Sequence, residues 1–439
     1  MEDIPKETET IAARRARRLA EKLRNEGKRR IISVWWNNRA VEYLGLGIVL
    51  FLNVYLVFPF FGTASSDAFY SGPIIPILSK AVEFAGNIPF PYAVQIINII
   101  FFLIFPLSIY LFIRKVTDRK LVGVLAAVIV SLPIYPFAET RIISSLIGID
   151  AAHIASLSII PFALIGLLSF IRQGETKNLI IASIGSSTVA LTSPFGFFTY
   201  VIFAGIITFS ELLLGNGRLK VVRLISVLIV SGGLIAFWYN PGFFLWMITG
   251  PLGEGIRFTI SKLIPITFFV IPPLGAFGYL LFDRKPSLQP FFIASFFTIS
   301  YAIISLAGGG FFPSHPSRYV PELGISISIL SGILIVKLSD FIRLNQIGHL
   351  NINKGMLANT FLVTVFLVLC TGIAIGGRKF DTNRSEVLGI WDEVDKGDIW
   401  EAKENFSGGH SLFGFGLTSL TVISLGVLVK KQKDNKYEQ

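Results

Sequence analysis

Blocks of apolar residues alternate with short polar breaks along nearly the whole chain. A block of about 18 residues or more reads as a membrane-crossing helix, because about 20 residues rising 1.5 Å each cross the hydrocarbon core. The pattern predicts helices near 41–61, 94–113, 120–137, 152–170, 178–192, 196–214, 221–239, 263–281, 288–307, 323–341, 355–376 and 411–429. The expected fold class is therefore an all-α polytopic membrane protein with about 12 transmembrane helices. The fifth block is short, and LTSPFG (191–196) separates it from the sixth. Prolines fall inside or beside several blocks: Pro106, Pro133, Pro136, Pro161, Pro241, Pro265, Pro272 and Pro273. Each removes a backbone donor and bends its helix, and the released carbonyls must face protein or water. An irregular bundle around a cavity is expected, not a ring of straight helices.

The polar breaks carry a charge code. RKVTDRK, RQGETK, NGRLKVVR, DRK, RLNQIGHLNINK and the final KKQKDNK fall on one side if the helices alternate. This positive-inside pattern places the N-terminus and the C-terminus in the cytoplasm. The opposite side holds 62–93, 138–151, 240–262, 308–322 and 377–410. Residues 1–40 read as a basic cytoplasmic arm. The stretch ARRARRLAEKLRNEGKRR is too long and too charged for the n-region of a signal peptide, and Trp35 and Trp36 suit the headgroup level. The polytopic core is 41–376. An acidic extracytoplasmic loop, 377–410, precedes a last helix and basic tail, 411–439. That loop holds DEVDKGD and two N-x-S sequons, so Asn383 and Asn405 are glycosylation candidates.

Composition agrees with this layout. Hydrophobic residues make up 52%, mean hydropathy is +0.66, and only 15% are charged, against about 25% in soluble domains. The net charge of +11 reflects basic loops facing anionic lipid. No aromatic and basic interleaving marks a nucleic-acid groove, so nucleic acid is not an expected partner. The single cysteine, Cys370, excludes an intrachain disulfide and reads as a buried small side chain. One cysteine and four histidines leave no structural zinc cluster and little basis for bis-histidine haem.

Candidate chemistry gathers on the predicted outer side. Asp67 follows the first block, after Gly62, Ala64, Ser65 and Ser66, and GPIIP then turns the chain. Two readings stay open for it: loop capping or catalysis. The second outer loop carries Glu139, Arg141 and Asp150, with His153 opening the next block. The third carries Trp238, Tyr239, Asn240, Glu254, Arg257 and Lys262, and the fourth His315, Arg318 and Glu322. Arginine offers a planar fork to a phosphate. A carboxylate takes a proton from an attacking hydroxyl, or binds a metal that polarises it. The competing reading is that these charges pair with each other and pin the loops.

Several segments carry a family resemblance. They are SSDAFYSGPIIP with Asp67, the run from Gly148 through Asp150 and His153 into ASLSIIPFAL, then LTSPFG, AFWYNPGF (236–243) and PSRY (316–319). In this order and on one side, the chain resembles the GT-C superfamily of polyprenyl-phosphate-sugar-dependent membrane glycosyltransferases. It also resembles multispanning proteins labelled 6-pyruvoyl-tetrahydropterin synthase-related. The resemblance implies a GT-C-like core. It implies that Asp67 acts as general base or orients metal and acceptor, with Glu139 or Asp150 as the second acid. Arg318, with His315, would hold the lipid-linked phosphate, and Arg257 is a further phosphate-binding candidate. A divalent metal such as Mg or Mn is compatible with Asp67 and Asp150. The chain departs from the family in lacking a tight D-x-D or E-x-D pair in 62–93 or 138–151 and a large C-terminal soluble domain.

The expected function is sugar transfer from a polyprenyl-phosphate-linked donor to an envelope acceptor at the outer face. The expected partners are membrane lipids, that donor and envelope proteins, in a multi-pass location in the cell membrane. Two alternatives stay open: a noncatalytic subunit or scaffold of an envelope complex, and a transporter.

Overall fold

The computed structural model describes residues 39–65, 72–147, 150–214, 217–249, 275, 276, 278, 288–306, 316–346 and 409–437. They are all helical or irregular. The α-helices are α1 (Arg39–Val57), α2 (Ile74–Gly86), α3 (Phe90–Thr117), α4 (Lys120–Val130), α5 (Ala138–Ile142), α6 (Ala151–Gln173), α7 (Thr176–Thr192), α8 (Pro194–Leu212), α9 (Gly217–Ile235), α10 (Pro241–Thr249), α11 (Gln289–Leu306), α12 (Val320–Gln346) and α13 (Gly409–Tyr437). This is a multi-pass membrane protein.

The expectation of about twelve transmembrane helices in a GT-C-like core needs correction. Among the described residues six helices are long and apolar enough to cross: α1, α3, α6, α8, α12 and α13. Four expected crossings fall short for separate reasons. The block at 120–137 becomes an 11-residue helix, α4, that stops at Val130. The helix α7 has 17 residues, about 25 Å against a core of about 30 Å. The apolar stretch of α11 is also short, Gln289–Ser305. The helix α9 begins with Arg218, Lys220 and Arg223. The expected helices at 263–281, apart from residues 275, 276 and 278, and at 355–376 lie outside the described residues, as do the arm before residue 39 and the acidic loop before residue 409.

Local chemistry explains the ends. Gly174 adopts a left-handed φ of 74° and its N–H closes α6 onto the Phe170 carbonyl at 2.8 Å. Ser193 accepts a hydrogen bond from the Gly196 N–H at 3.3 Å, and Pro194 occupies the first turn of α8. The proline in LTSPFG therefore starts a helix; it does not kink one.

The main core joins α3, α4, α6, α8, α11 and α12 through Phe105, Leu125, Leu167, Phe203, Phe297 and Ile329, among others. At one end, two buried glutamates gather the basic residues. Glu42 accepts from Tyr110, Lys120 and Arg114, the last at 3.2 Å. Glu211 receives Arg172 through Nε at 2.9 Å and Nη2 at 2.8 Å, and the Gln289 amide at 2.8 Å. This is the end that the positive-inside reading of the sequence expects in the cytoplasm.

The third predicted crossing is broken partway. After α4 come a turn with a cis Tyr135–Pro136 bond, the short α5 and a π-helical turn, Ile143–Ile147. The segment predicted as the outer loop 138–151 is thus largely helical. Gln95 of α3 donates to the Leu146 carbonyl at 3.2 Å, and Arg141 lies over Phe102 and Phe105 of α3. The α5 segment therefore continues outward along α3. At the break, Asn53 of α1 donates to Ser131 at 2.8 Å.

The break packs on α12 through Gly324, where a Cβ would lie 2.3 Å from the Pro136 carbonyl oxygen. Backbone cannot yield there as a side chain would. Gly324→Ala is expected to destabilise the protein by about 1–3 kcal/mol. Gly205→Ala, with nothing within 4 Å, should leave it unchanged. Thermal unfolding of both variants in detergent checks this.

Candidate functional site

Two helices begin side by side at the end of the bundle opposite Glu42 and Glu211. Asp150 precedes α6, and His153 follows one turn deeper. Arg318 lies in the 3-10 turn Pro316–Tyr319 that leads into α12, and Glu322 follows one turn deeper. The spacings, three residues on one chain segment and four on the other, put each pair on one helix face. The order is acid then base on the first segment and base then acid on the second. The segments therefore meet as two complementary rungs.

In the outer rung, Arg318 Nη2 donates to Asp150 Oδ1 at 2.7 Å, with both side chains 4% exposed. The Arg318 guanidinium also stacks 3.6 Å from the centre of the Phe195 ring, just after the LTSP turn. In the inner rung, His153 Nε2 lies 2.9 Å from Glu322 Oε1, and both side chains are fully buried. Thr199 of α8 donates to the same oxygen at 2.9 Å, and its carbonyl accepts from Tyr301 of α11 at 3.3 Å. Tyr319 presents its ring edgewise to His153. Asp150 Oδ2, His153 Nδ1 and Glu322 Oε2 are buried with no hydrogen-bond partner. Two carboxylates and an imidazole therefore keep unused valences within about one helical turn of each other.

Beneath the rungs the lining turns apolar. Leu157 and Pro161 of α6, Ile325 and Ile329 of α12, Phe203 and Phe297 surround a void of about 10 Å³. A void of that size and lining stays dry. The polar cluster thus has a hydrophobic floor.

Of the residues proposed from sequence, Asp150 and Arg318 are brought together. Glu139 is half-buried on α5, within the broken crossing and not in an outer loop. Asp67, His315, Arg257, Asn383 and Asn405 lie outside the described residues. His153 and Glu322 form the inner rung, and Thr199 was not singled out in advance. The D-x-x-H and R-x-x-x-E spacings were the signal for the first two. Thr199 carried none. Among the described residues no group of three His, Cys, Asp or Glu side chains could hold a metal. Asp150, the described half of the metal pair, already faces a guanidinium, which repels a divalent cation, so these residues do not fit Mg or Mn.

Arg141 was read as a loop residue. It is fully buried. Its Nη2 donates to the Val130 carbonyl, the last of α4, at 2.8 Å, and it lies 4.6 Å and 4.1 Å from the Phe102 and Phe105 ring centres. A cation at a helix C-terminus is favourable, and two aromatic faces add to it. Its Nε and Nη1 have no partner.

The chain matches no family model, no curated protein and no solved structure.

Breaking one partner of the outer rung leaves the other charge buried. Asp150→Asn and Arg318→Gln should each destabilise by about 3–5 kcal/mol. The double variant should cost less than their sum, and a double-mutant cycle on unfolding midpoints measures the coupling.

Proposed function

We propose that this protein transfers a sugar from a polyprenyl-phosphate-linked donor to an acceptor hydroxyl at the extracytoplasmic face. The observation that carries the reading is the pair of buried rungs at the outer helix ends. They set an arginine, whose fork suits a phosphate, beside an acid and a His–Glu pair, above a dry floor. The sequence resemblance to transferases of this kind supports it as well.

The roles follow from the geometry. Arg318 exchanges part of its contact with Asp150 for the donor phosphate, and the Phe195 ring keeps the guanidinium plane oriented. The acceptor oxygen attacks the anomeric carbon. The bond from that carbon to the phosphate oxygen breaks, and its electron pair leaves with the lipid phosphate, neutralised by Arg318. The acceptor proton passes to the His153–Glu322 pair. Thr199 holds one Glu322 oxygen, which leaves the other facing the site. Asp67 keeps the acceptor-side role that the resemblance gives it.

The opposite feature of the same cluster favours a second reading. Acid and base already neutralise each other, as they would in a noncatalytic component whose rungs only lock α6 to α12.

Purified wild type in lipid should transfer sugar from at least one lipid-linked donor. Glu322→Gln and Arg318→Ala should lower the rate by about 10²-fold or more. Silence of folded wild type across a broad panel of donors, acceptors and divalent ions would overturn the transferase reading. Copurification with one envelope complex that tolerates Glu322→Gln would then establish the second.

A further inference from the structure

We propose that Arg141 and Asn98 form a buried oxyanion site inside the broken crossing, separate from the Asp150–Arg318 cluster and independent of the transferase reading. Four residues of α3, namely Gln95, Asn98, Phe102 and Phe105, recur at helical spacing and make one stripe. The contacts of its ends fix where the stripe faces. Gln95 donates to Leu146, while Phe102 and Phe105 receive Arg141. Asn98 therefore lies between them, facing the segment from Arg141 to Leu146.

Polar capacity on this stripe is unspent. Arg141 Nε and Nη1, both amide atoms of Asn98 and Gln95 Oε1 are buried without a partner. Arg141 is fully buried and Asn98 is 2% exposed. No carboxylate pairs with Arg141 among the described residues. That separates it from Arg318, Arg172 and Arg114, which each meet an acid. A guanidinium stays protonated, so it cannot shed its charge to relieve burial. Its missing partner is an anion. The fork of Nε and Nη1 suits two oxygens of a phosphate or carboxylate, and the Asn98 amide supplies a further donor.

The stripe also opens outward. Gln95 Nε2 reaches Thr63 Oγ1 at 3.3 Å, and Thr63 is exposed beyond the end of α1. Thr63, Gln95, Asn98 and Arg141 thus make a graded series from the surface to a cation at the end of a half-helix. Irregular backbone inside a membrane is tolerated where it lines such a site.

The source of the oxyanion, a free anion or a lipid headgroup, separates in one experiment on the full-length protein in phosphatidylcholine nanodiscs. One arm adds inorganic phosphate. The other incorporates an isoprenyl monophosphate. Binding is read by 31P NMR line broadening and by the rise in unfolding midpoint. Wild type should respond to at least one probe: response to inorganic phosphate identifies a free anion, and response to the lipid alone identifies a headgroup. Arg141→Gln should weaken binding by about tenfold or more, and Asn98→Leu by a smaller factor. The Gly205→Ala protein, whose added methyl meets nothing within 4 Å, should respond as wild type. If Arg141→Gln does not fold, Arg141→Lys and Asn98→Leu decide. The proposal is overturned if wild type responds to neither probe, or if the folded Arg141 and Asn98 variants respond as wild type does.

Discussion

A charge taken into a bilayer must find its partner inside the protein, and this requirement organises the fold. Glu42 collects Arg114 and Lys120, Glu211 collects Arg172, and Asp150 collects Arg318. Each pair joins helices far apart in sequence. Apolar packing between such helices cannot specify register by itself, because lipid tails are as apolar as leucine. An ion pair in low dielectric adds direction, because either partner alone is strongly penalised. The pairs at the basic end fix α1 to α3 and α4, and α6 to α8. The rungs at the other end fix α6 to α12. The bundle is thus clamped at both ends, with a dry apolar layer between.

The two clamps differ in what they leave over. At the basic end each glutamate is surrounded by donors. At the outer end the acids and the imidazole retain buried atoms without partners, and the neighbouring hydroxyl of Thr199 is already committed to Glu322. A purely structural lock has no reason to leave such atoms unsatisfied, since each costs about 1–3 kcal/mol. This asymmetry, more than the presence of charge, separates a candidate site from a staple.

Much of this was legible in the sequence, for identifiable reasons. Hydropathy located the apolar blocks, and the basic loops assigned one end. Asp150 and Arg318 were both marked as chemistry-bearing because acids beside arginines suit a place where a phosphate and a reacting hydroxyl meet. The helix count failed because a hydropathy window measures apolar length and cannot see where a helix stops. The turn after Val130 cut one block in half, three basic residues opened α9, and α7 and α11 were short. The same blindness misplaced Arg141. Its segment, AETRIISSLIG, looked like a loop beside a block that seemed complete at residue 137. Thr199 could not be found from sequence at all, because its role depends on α8 lying against Glu322 across 123 residues.

The broken crossing and the paired rungs then express one constraint in two ways. Where acid and base arise on adjacent helices, the protein cancels charge internally. Where the break leaves Arg141 with one carbonyl and two rings, cancellation is incomplete. The carbonyl is itself a product of the break: α4 ends inside the bundle, and its last oxygens need a donor that lipid cannot supply. Arg141 meets that need with one nitrogen and brings a full charge to do so. A neutral serine would have satisfied a carbonyl of the helix at lower cost, as Ser131 does one residue away by donating to the Ala127 carbonyl at 2.7 Å. The choice of a cation at this depth is therefore poorly explained by capping alone and well explained by a counter-anion.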